Sequence, residues 1–262
     1  MGDPVKSLGK STLLRVFLRS LFLQAAWNPK GMQSLGFAYA LYPALARLYP
    51  DPKDLALATE RHLCCFNSHP YLAATIVGGA LHHEERIARG EESPELVNAF
   101  KQSLMGPLAA LGDGFFWLSL RPACGAFSAL LALAFVLTGK PAAAAMASVA
   151  FYLVSYNAVH IAVRARLFVL GHRLGDKVVD QIAASRLPII GHRLRIVAAA
   201  SAGAAGGLGA LALPVSHALL RWAAPAAAAL FTACYLALAR GVSLYLLAYA
   251  VAVLALCIGV FF

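Results

Sequence analysis

From Ala126 to Ile161 the only fully charged side chain is Lys140, set between Gly139 and Pro141. An apolar run of about 20 residues in a helix crosses the hydrocarbon core of a bilayer. Glycine and proline at the one charge mark a turn. The segment therefore reads as two membrane-spanning helices joined by a short connection. Three further apolar runs follow, Ile196 to Leu213, Ala223 to Ala239 and Val242 to Phe262, separated by Pro214 to Trp222 and by Arg240-Gly241. Composition agrees: 60% of the 262 residues are hydrophobic and 13% are charged, against about 25% charged in an ordinary soluble domain. The expected fold is an all-α integral membrane protein with amphipathic N-terminal helices, re-entrant or broken helical hairpins and about five transmembrane helices.

Charge gives the orientation. Between Val163 and Arg195 lie Arg164, Arg166, Arg173, Lys177, Arg186, Arg193 and Arg195, against Asp176 and Asp180 alone. Basic loops stay on the cytoplasmic side, so this segment is expected inside, Arg240 inside and Phe262 outside. The formal net charge of +10 suits anionic lipid. No base-reading or stacking module accompanies it, which excludes nucleic acid as a partner. The start, Met1 to Ser11, lacks the pattern of a cleaved leader and is expected to remain, in the cytoplasm. Cys64, Cys65, Cys124, Cys234 and Cys257 are odd in number and form no C-x-x-C pair, so they read as small apolar residues rather than a disulfide or zinc framework. Gly203 and Gly207 have the small-xxx-small spacing that lets helices pack closely.

The first 125 residues are of another kind. Leu13 to Trp27 places Arg15 and Arg19 on one face of an apolar helix, the pattern of a helix lying in the interface or covering a partner. Asn67 to Leu81 and Leu104 to Ala123 are apolar but interrupted by Pro70, Gly78-Gly79, Gly106-Pro107, Gly112, Gly114 and Pro122. Broken helices at membrane depth survive where protein or a watery cavity satisfies the freed backbone, and transporters build substrate sites there. The expected organisation is N-terminal interfacial helices over 1–50, a broken-helix substrate region over 51–125, a transmembrane hairpin over 126–162, a basic cytoplasmic segment over 163–195 and C-terminal spans over 196–262.

Polar side chains in these interrupted stretches are the candidate site. Gln24, Asn28, Asn67 and Asp113 are types that hydrogen-bond sugar hydroxyls, and Trp27 and Trp117 are types that pack on a sugar's apolar face. The same residues also suit helix caps and interfacial anchors, though an intramembrane carboxylate is a functional candidate in its own right. His82-His83-Glu84-Glu85 lacks the H-E-x-x-H spacing of a metal site and reads as a solvated helix end. Gly9-Lys10-Ser11-Thr12 mimics part of a phosphate loop, but Pro4 stands where the first glycine belongs. No nucleophile, base and orienting group can be assembled, so neither catalytic residues nor a cofactor are expected.

Gln24-x-x-Trp27-Asn28-x-x-x-Met32-Gln33-x-Leu35-Gly36-Phe37, Arg61-His62-Leu63-x-x-Phe66-Asn67-Ser68-His69-Pro70 and Leu104-Met105-Gly106-Pro107-Leu108-Ala109-x-x-Gly112-Asp113, with Phe116-Trp117 and Arg121-Pro122, occur in this order. The arrangement resembles the membrane component IID of the mannose/fructose/sorbose family of the bacterial phosphoenolpyruvate-dependent sugar phosphotransferase system. That resemblance implies a non-catalytic subunit in the inner membrane, paired with a IIC membrane subunit in a multimer, a trimer of IIC–IID pairs. It implies a hexose bound between them and phosphorylated by a cytoplasmic IIAB phosphocarrier. On it, Asn67, His69 and Asp113 become expected sugar or gating contacts, Gln24 and Asn28 hydroxyl partners, and Trp27 and Trp117 packing surfaces. Cys64 stands where the family commonly has glutamate, and Leu167 and His172 depart from a Gly/Tyr-rich stretch. These departures give a competing expectation, a membrane receptor or regulator that keeps the architecture without moving sugar.

Overall fold

The computed structural model describes residues 8–212 and a few isolated positions beyond them. The apolar runs from Ala223 and from Val242 onward lie outside the described residues. Among the described residues the fold is all-helical, and the unit described here extends to Gly209.

Helix α1 (Lys10–Ser20) buries Thr12, Val16 and Ser20, one residue per turn, and turns Leu14 and Leu18 outward. The helix expected to reach Trp27 ends at Ser20; the chain continues in turns to Ala26. Arg19 lies at this end. Its guanidinium lies 4.5 Å from the ring of Tyr39 and donates to the Tyr39 carbonyl at 3.3 Å, which ties the end of α1 to α2 (Ser34–Leu48). Helix α3 (Pro52–Arg61) starts where a sequence rule says it should. Asp51 caps it by accepting from the amides of Lys53 at 2.8 Å and Asp54 at 3.4 Å, with Pro52 in the first turn.

Helix α4 (Ala73–Ala88) and α5 (Pro94–Gly112) pack against each other. Neither is broken where glycine and proline suggested. Gly78 and Gly79 lie inside α4, and Gly106 and Pro107 inside α5. The two glycines of α4 are there for contact rather than for bending. A Cβ at Gly79 would strike the Phe100 ring, and one at Gly78 would land on the carbonyl oxygen of Phe168. The local cost of a helical glycine, about 1 kcal/mol, is outweighed by the close approach it permits. At Asp113 the chain does not stop but widens into a π-helical segment, Asp113–Leu120, before α6 (Arg121–Leu137). The widening is visible in the hydroxyl of Ser119, which donates five residues back to the carbonyl of Gly114 at 2.7 Å.

Gly139, at φ 73°, turns α6 into α7 (Pro141–Leu174). Facing rings of Phe127 and Phe151, 4.8 Å apart, and a hydrogen bond from Ser128 to the Ser148 carbonyl hold the two together. Met146, Val149, Leu153 and Val154 are exposed along α7, as expected of a surface whose solvent is lipid. Two helical stretches, Pro94–Leu137 and Pro141–Ala183, are long and apolar enough to cross a membrane.

The basic stretch after Val163 differs from the loop expected of it. Helix α7 continues through Arg164 and Arg166 to Leu174, and after a short turn α8 (Val178–Ala183) and α9 (Leu187–Ala212) follow. Arg164 is 4% exposed and donates to the carbonyl of Ser20 at the end of α1. A cation reads as a solvent marker in sequence, whereas here the free C-terminal carbonyls of a distant helix receive it. In the middle of the fold α4 and α7 cross with backbones in contact. Gly171 faces the Thr75 carbonyl just as Gly78 faces that of Phe168.

Candidate functional site

Two polar loops meet beneath the end of α1. Asn28 folds the first by accepting from the amide of Gly31 at 2.8 Å, and it exchanges backbone hydrogen bonds with Met32, which adopts φ 55°. The second loop bridges the first in parallel at Met32 and Phe66, where the Phe66 amide donates to the Gly31 carbonyl at 3.3 Å, and three further hydrogen bonds join them. The Gln33 amide nitrogen donates to the Phe66 carbonyl at 2.8 Å. The Gln33 side chain then donates to the Ser68 carbonyl at 2.8 Å and accepts from the Ser68 amide at 3.1 Å. A buried side-chain amide thus imitates a strand. Ser68 continues the chain of contacts to the carbonyl of Met105 on α5, at 3.0 Å. Asn67 sits exposed in the middle of this seam.

Two residues on, His69 enters an aromatic cluster. Its ring stacks on Phe116 at 5.1 Å and 14°, meets Tyr71 edge-on at 5.1 Å and lies 5.2 Å from Trp117. The fourth wall is Gly112, where a Cβ would overlap the His69 ring. Tyr71 in turn stacks on His160 of α7 at 4.4 Å and receives a hydrogen bond from Tyr156 at 3.3 Å. The π-helical widening is what presents these groups: Phe115 and Phe116 both point inward, while Asp113 and Trp117 face out. Such segments occur frequently at functional sites. Gly112→Ala should lower stability by about 1–3 kcal/mol through the overlap with His69. Thermal unfolding of the detergent-solubilised protein measures this, and an unshifted midpoint would show that the ring has room to move.

The sequence-derived candidates therefore fall into two neighbouring groups. His69 and Trp117 are in contact, with Asp113 on the same segment as Trp117. Asn28 and Asn67 belong to loops fastened to each other. Gln24 and Trp27 are exposed on the turn after α1, beside a hollow of about 350 Å³ lined by Phe22, Ala25, Ala26, Leu35, Gly36 and Tyr39. Neither Asn67 nor Asp113 caps a helix: α4 starts without a side-chain cap, and Asp113 continues one helical run into another. Reasoning from sequence missed Gln33, Tyr71, Tyr156 and His160. The spacing of Asn157 and His160, whose side chains are 2.9 Å apart on one helical face, was the available signal.

One expectation is overturned here. The run His82 to Glu85 is no solvated helix end: His83 is 2% exposed and Glu84 fully buried. Glu84 accepts from Tyr49 at 2.6 Å and from His62 at 2.9 Å, with the Arg61 guanidinium at 3.6 Å. Burial pushes the Glu84 carboxyl up, but hydrogen bonds from His62 and Tyr49 and the charge of Arg61 outweigh it and hold the group below its ordinary range. Burial also holds His62 below its ordinary value. Its Nδ1 is buried without a partner among the described residues, which a neutral ring tolerates and an imidazolium does not. Lys101 of α5 closes the group by donating to the Arg61 carbonyl at 3.1 Å. Four helices are tied at this point.

Residues 7–207 match the family described as PTS system mannose/fructose/sorbose family IID component. The chain belongs to this family. Among relatives of the IID chain, it is 36% identical over 179 residues to the mannose-specific EIID component of Escherichia coli strain K12, covering 68% of this chain and 60% of the relative. It is 34% identical to the sorbose-specific EIID component of Klebsiella pneumoniae over 70% of this chain and 64% of that one. The fructose permease IID component of Bacillus subtilis strain 168 is 31% identical, over 70% of this chain and 63% of that relative. The IID chain thus spans less than two thirds of these relatives' length. Among solved structures, a chain in a cryo-electron microscopy structure of the mannose transporter ManYZ with microcin E492 superposes with a TM-score of 0.58 at 33% identity, covering 76% of this chain and 70% of that one. A second structure, of a membrane protein, gives a TM-score of 0.65 at 33% identity, with the same two coverages. Family and fold together make this IID component a membrane protein of the sugar phosphotransferase system.

Proposed function

We propose that this chain forms, with a IIC subunit, the permease that binds a mannose-type hexose and carries it across the inner membrane for phosphorylation by a cytoplasmic IIAB protein. The observation that carries the reading is exposure. Gln24, Trp27, Asn67, Asp113 and Trp117 are sugar-binding types, and all five are exposed on the isolated chain. Sites for small molecules bury most of their ligand, so these groups make half a site that a second subunit closes. In this reading Asn67, His69 and Asp113 contact or gate the sugar, Gln24 and Asn28 bind hydroxyls, and Trp27 and Trp117 pack on the ring. The N-terminus and the basic stretch of 163–195 face the cytoplasm, the C-terminus faces out, and IIC–IID pairs assemble as trimers.

The test is uptake of labelled mannose, glucose, fructose and glucosamine in cells lacking other hexose permeases, with the IIC and IIAB subunits co-expressed. One sugar should accumulate as its phosphate. Asp113→Asn and Asn67→Ala should each reduce that accumulation about tenfold or more, since a polar group left unpaired in a closed site costs about 1–3 kcal/mol. The amount of protein in the membrane should not change. Full uptake in both variants refutes the site. No uptake by an assembled wild-type complex favours the receptor or regulator reading prompted by Cys64 and Leu167.

A further inference from the structure

One cavity is lined by none of the residues assigned to the sugar. It has a volume of about 410 Å³, and α5, α7, α8 and the start of α9 enclose it. That volume falls within the range of about 300–1,000 Å³ for small-molecule sites. Its walls are Leu108, Leu111, Val163, Leu167, Leu170 and Ile182. A second cavity of about 370 Å³ adjoins it and shares Leu108, Leu111, Ile182 and Ser185, so the space forks around a common apolar wall. Arg166 and Arg186 also line the larger cavity, and both are exposed, which places them at its opening. No carboxylate lines it among the described residues. Ser185 is at the fork, its hydroxyl buried without a hydrogen-bond partner among the described residues.

We propose that one anionic two-chain phospholipid occupies this fork, its acyl chains in the two cavities and its phosphate on Arg166 and Arg186. Each feature answers to one part of such a molecule. Two apolar branches accept two chains. Two arginines at the opening neutralise one phosphate, for which the planar guanidinium is the better-matched cation. Basic pockets between membrane helices hold anionic headgroups in this way. The orphan Ser185 hydroxyl is supplied with a phosphate or ester oxygen, the partner it lacks among the described residues. A sugar would leave the leucine walls unsolvated, and free phosphate would leave both branches empty. The inference rests on the membrane placement of α5 and α7 and on the cytoplasmic side proposed for the basic stretch, not on transport.

Native mass spectrometry of the full chain, purified with its partner subunit and equilibrated with equal phosphatidylglycerol and phosphatidylethanolamine, tests this. One phosphatidylglycerol per chain should survive detergent washing. R166Q/R186Q should lower its occupancy about tenfold or more, the loss expected when charge-assisted hydrogen bonds are removed, and R166K/R186K should restore part of it. Leu111→Trp, which fills the fork without touching a charge, should displace the lipid and carries the test if R166Q/R186Q does not assemble. Retention of no lipid, equal retention of both lipid classes, or unchanged occupancy in R166Q/R186Q or Leu111→Trp overturns the proposal. So does displacement of the lipid by inorganic phosphate, or lost binding of a soluble phosphoprotein with lipid occupancy unchanged in R166Q/R186Q. Hexose uptake is read separately, so its absence leaves the lipid result standing.

Discussion

Glu84→Ala should leave little folded protein in the membrane. The substitution strands the Tyr49 hydroxyl, the His62 ring and the Arg61 guanidinium at once, in a place where Glu84 and His62 are fully buried. Removing one partner of a buried charged network costs about 3–5 kcal/mol, a large share of the 5–15 kcal/mol that stabilises a typical domain. Thermal unfolding in detergent and the yield of monodisperse protein give the measurement. A midpoint within a degree or two of wild type would show that the network is dispensable. Glu84→Gln keeps the shape and one acceptor, so its effect should be smaller but in the same direction.

The same group sets a pH dependence. Both His62 and Glu84 are held below their ordinary values of 6.5 and 4.5. Below pH 6.5 the unfolded chain protonates His62 more readily than the folded one, and below 4.5 the same becomes true of Glu84. The unfolded state then binds more protons, and stability falls as pH falls. The loss begins below about pH 6.5 and steepens below 4.5, and it should be reduced in His62→Phe.

Gly78→Val should be as damaging by a different route. The new Cβ falls on the backbone carbonyl of Phe168, with the His172 amide at 2.9 Å. Overpacking typically costs about 1–3 kcal/mol where side chains can rotate aside; a backbone cannot, so the effect should reach or pass that limit and part α4 from α7. Gly106→Ala is the control. A Cβ there meets nothing within 4 Å, and removing a helical glycine should stabilise by about 0.5–1 kcal/mol. Equal loss in both variants would mean that helical glycine, rather than the crossing, had been tested.

Hydropathy made α6 and α7 readable because lipid exposure is a property of each residue alone. The turn at Gly139 was readable for a similar local reason. Arg164 and Glu84 were not. Their charges argue for water until the Ser20 carbonyl and the Tyr49–His62 pair are in place, and those partners are far away in sequence. Gly78, Gly79 and Gly112 look like breaks when their neighbours along the chain are all that is known. What they accommodate, the Phe168 carbonyl, the Phe100 ring and the His69 ring, comes from other elements. For the candidate site, residue types were legible and their grouping was not. Nothing local to His69 announces Phe116 and Trp117, nothing local to Tyr71 announces His160, and the π-helical widening that orients Phe116 and Trp117 follows from packing.

The hydrogen bond from Arg164 to Ser20 spans 144 residues of chain. A ribosome adds about 5–20 residues per second, so α1 emerges roughly 7–30 s before the arginine that holds its end. The Gly78 crossing waits similarly for Phe168. During that interval the first six helices can insert and pair only provisionally, with the carbonyl of Ser20 lacking its arginine. Translation of α7 is therefore the step at which the N-terminal half locks, and nascent chains arrested before Arg164 are the form most open to proteolysis and to capture by the insertion machinery.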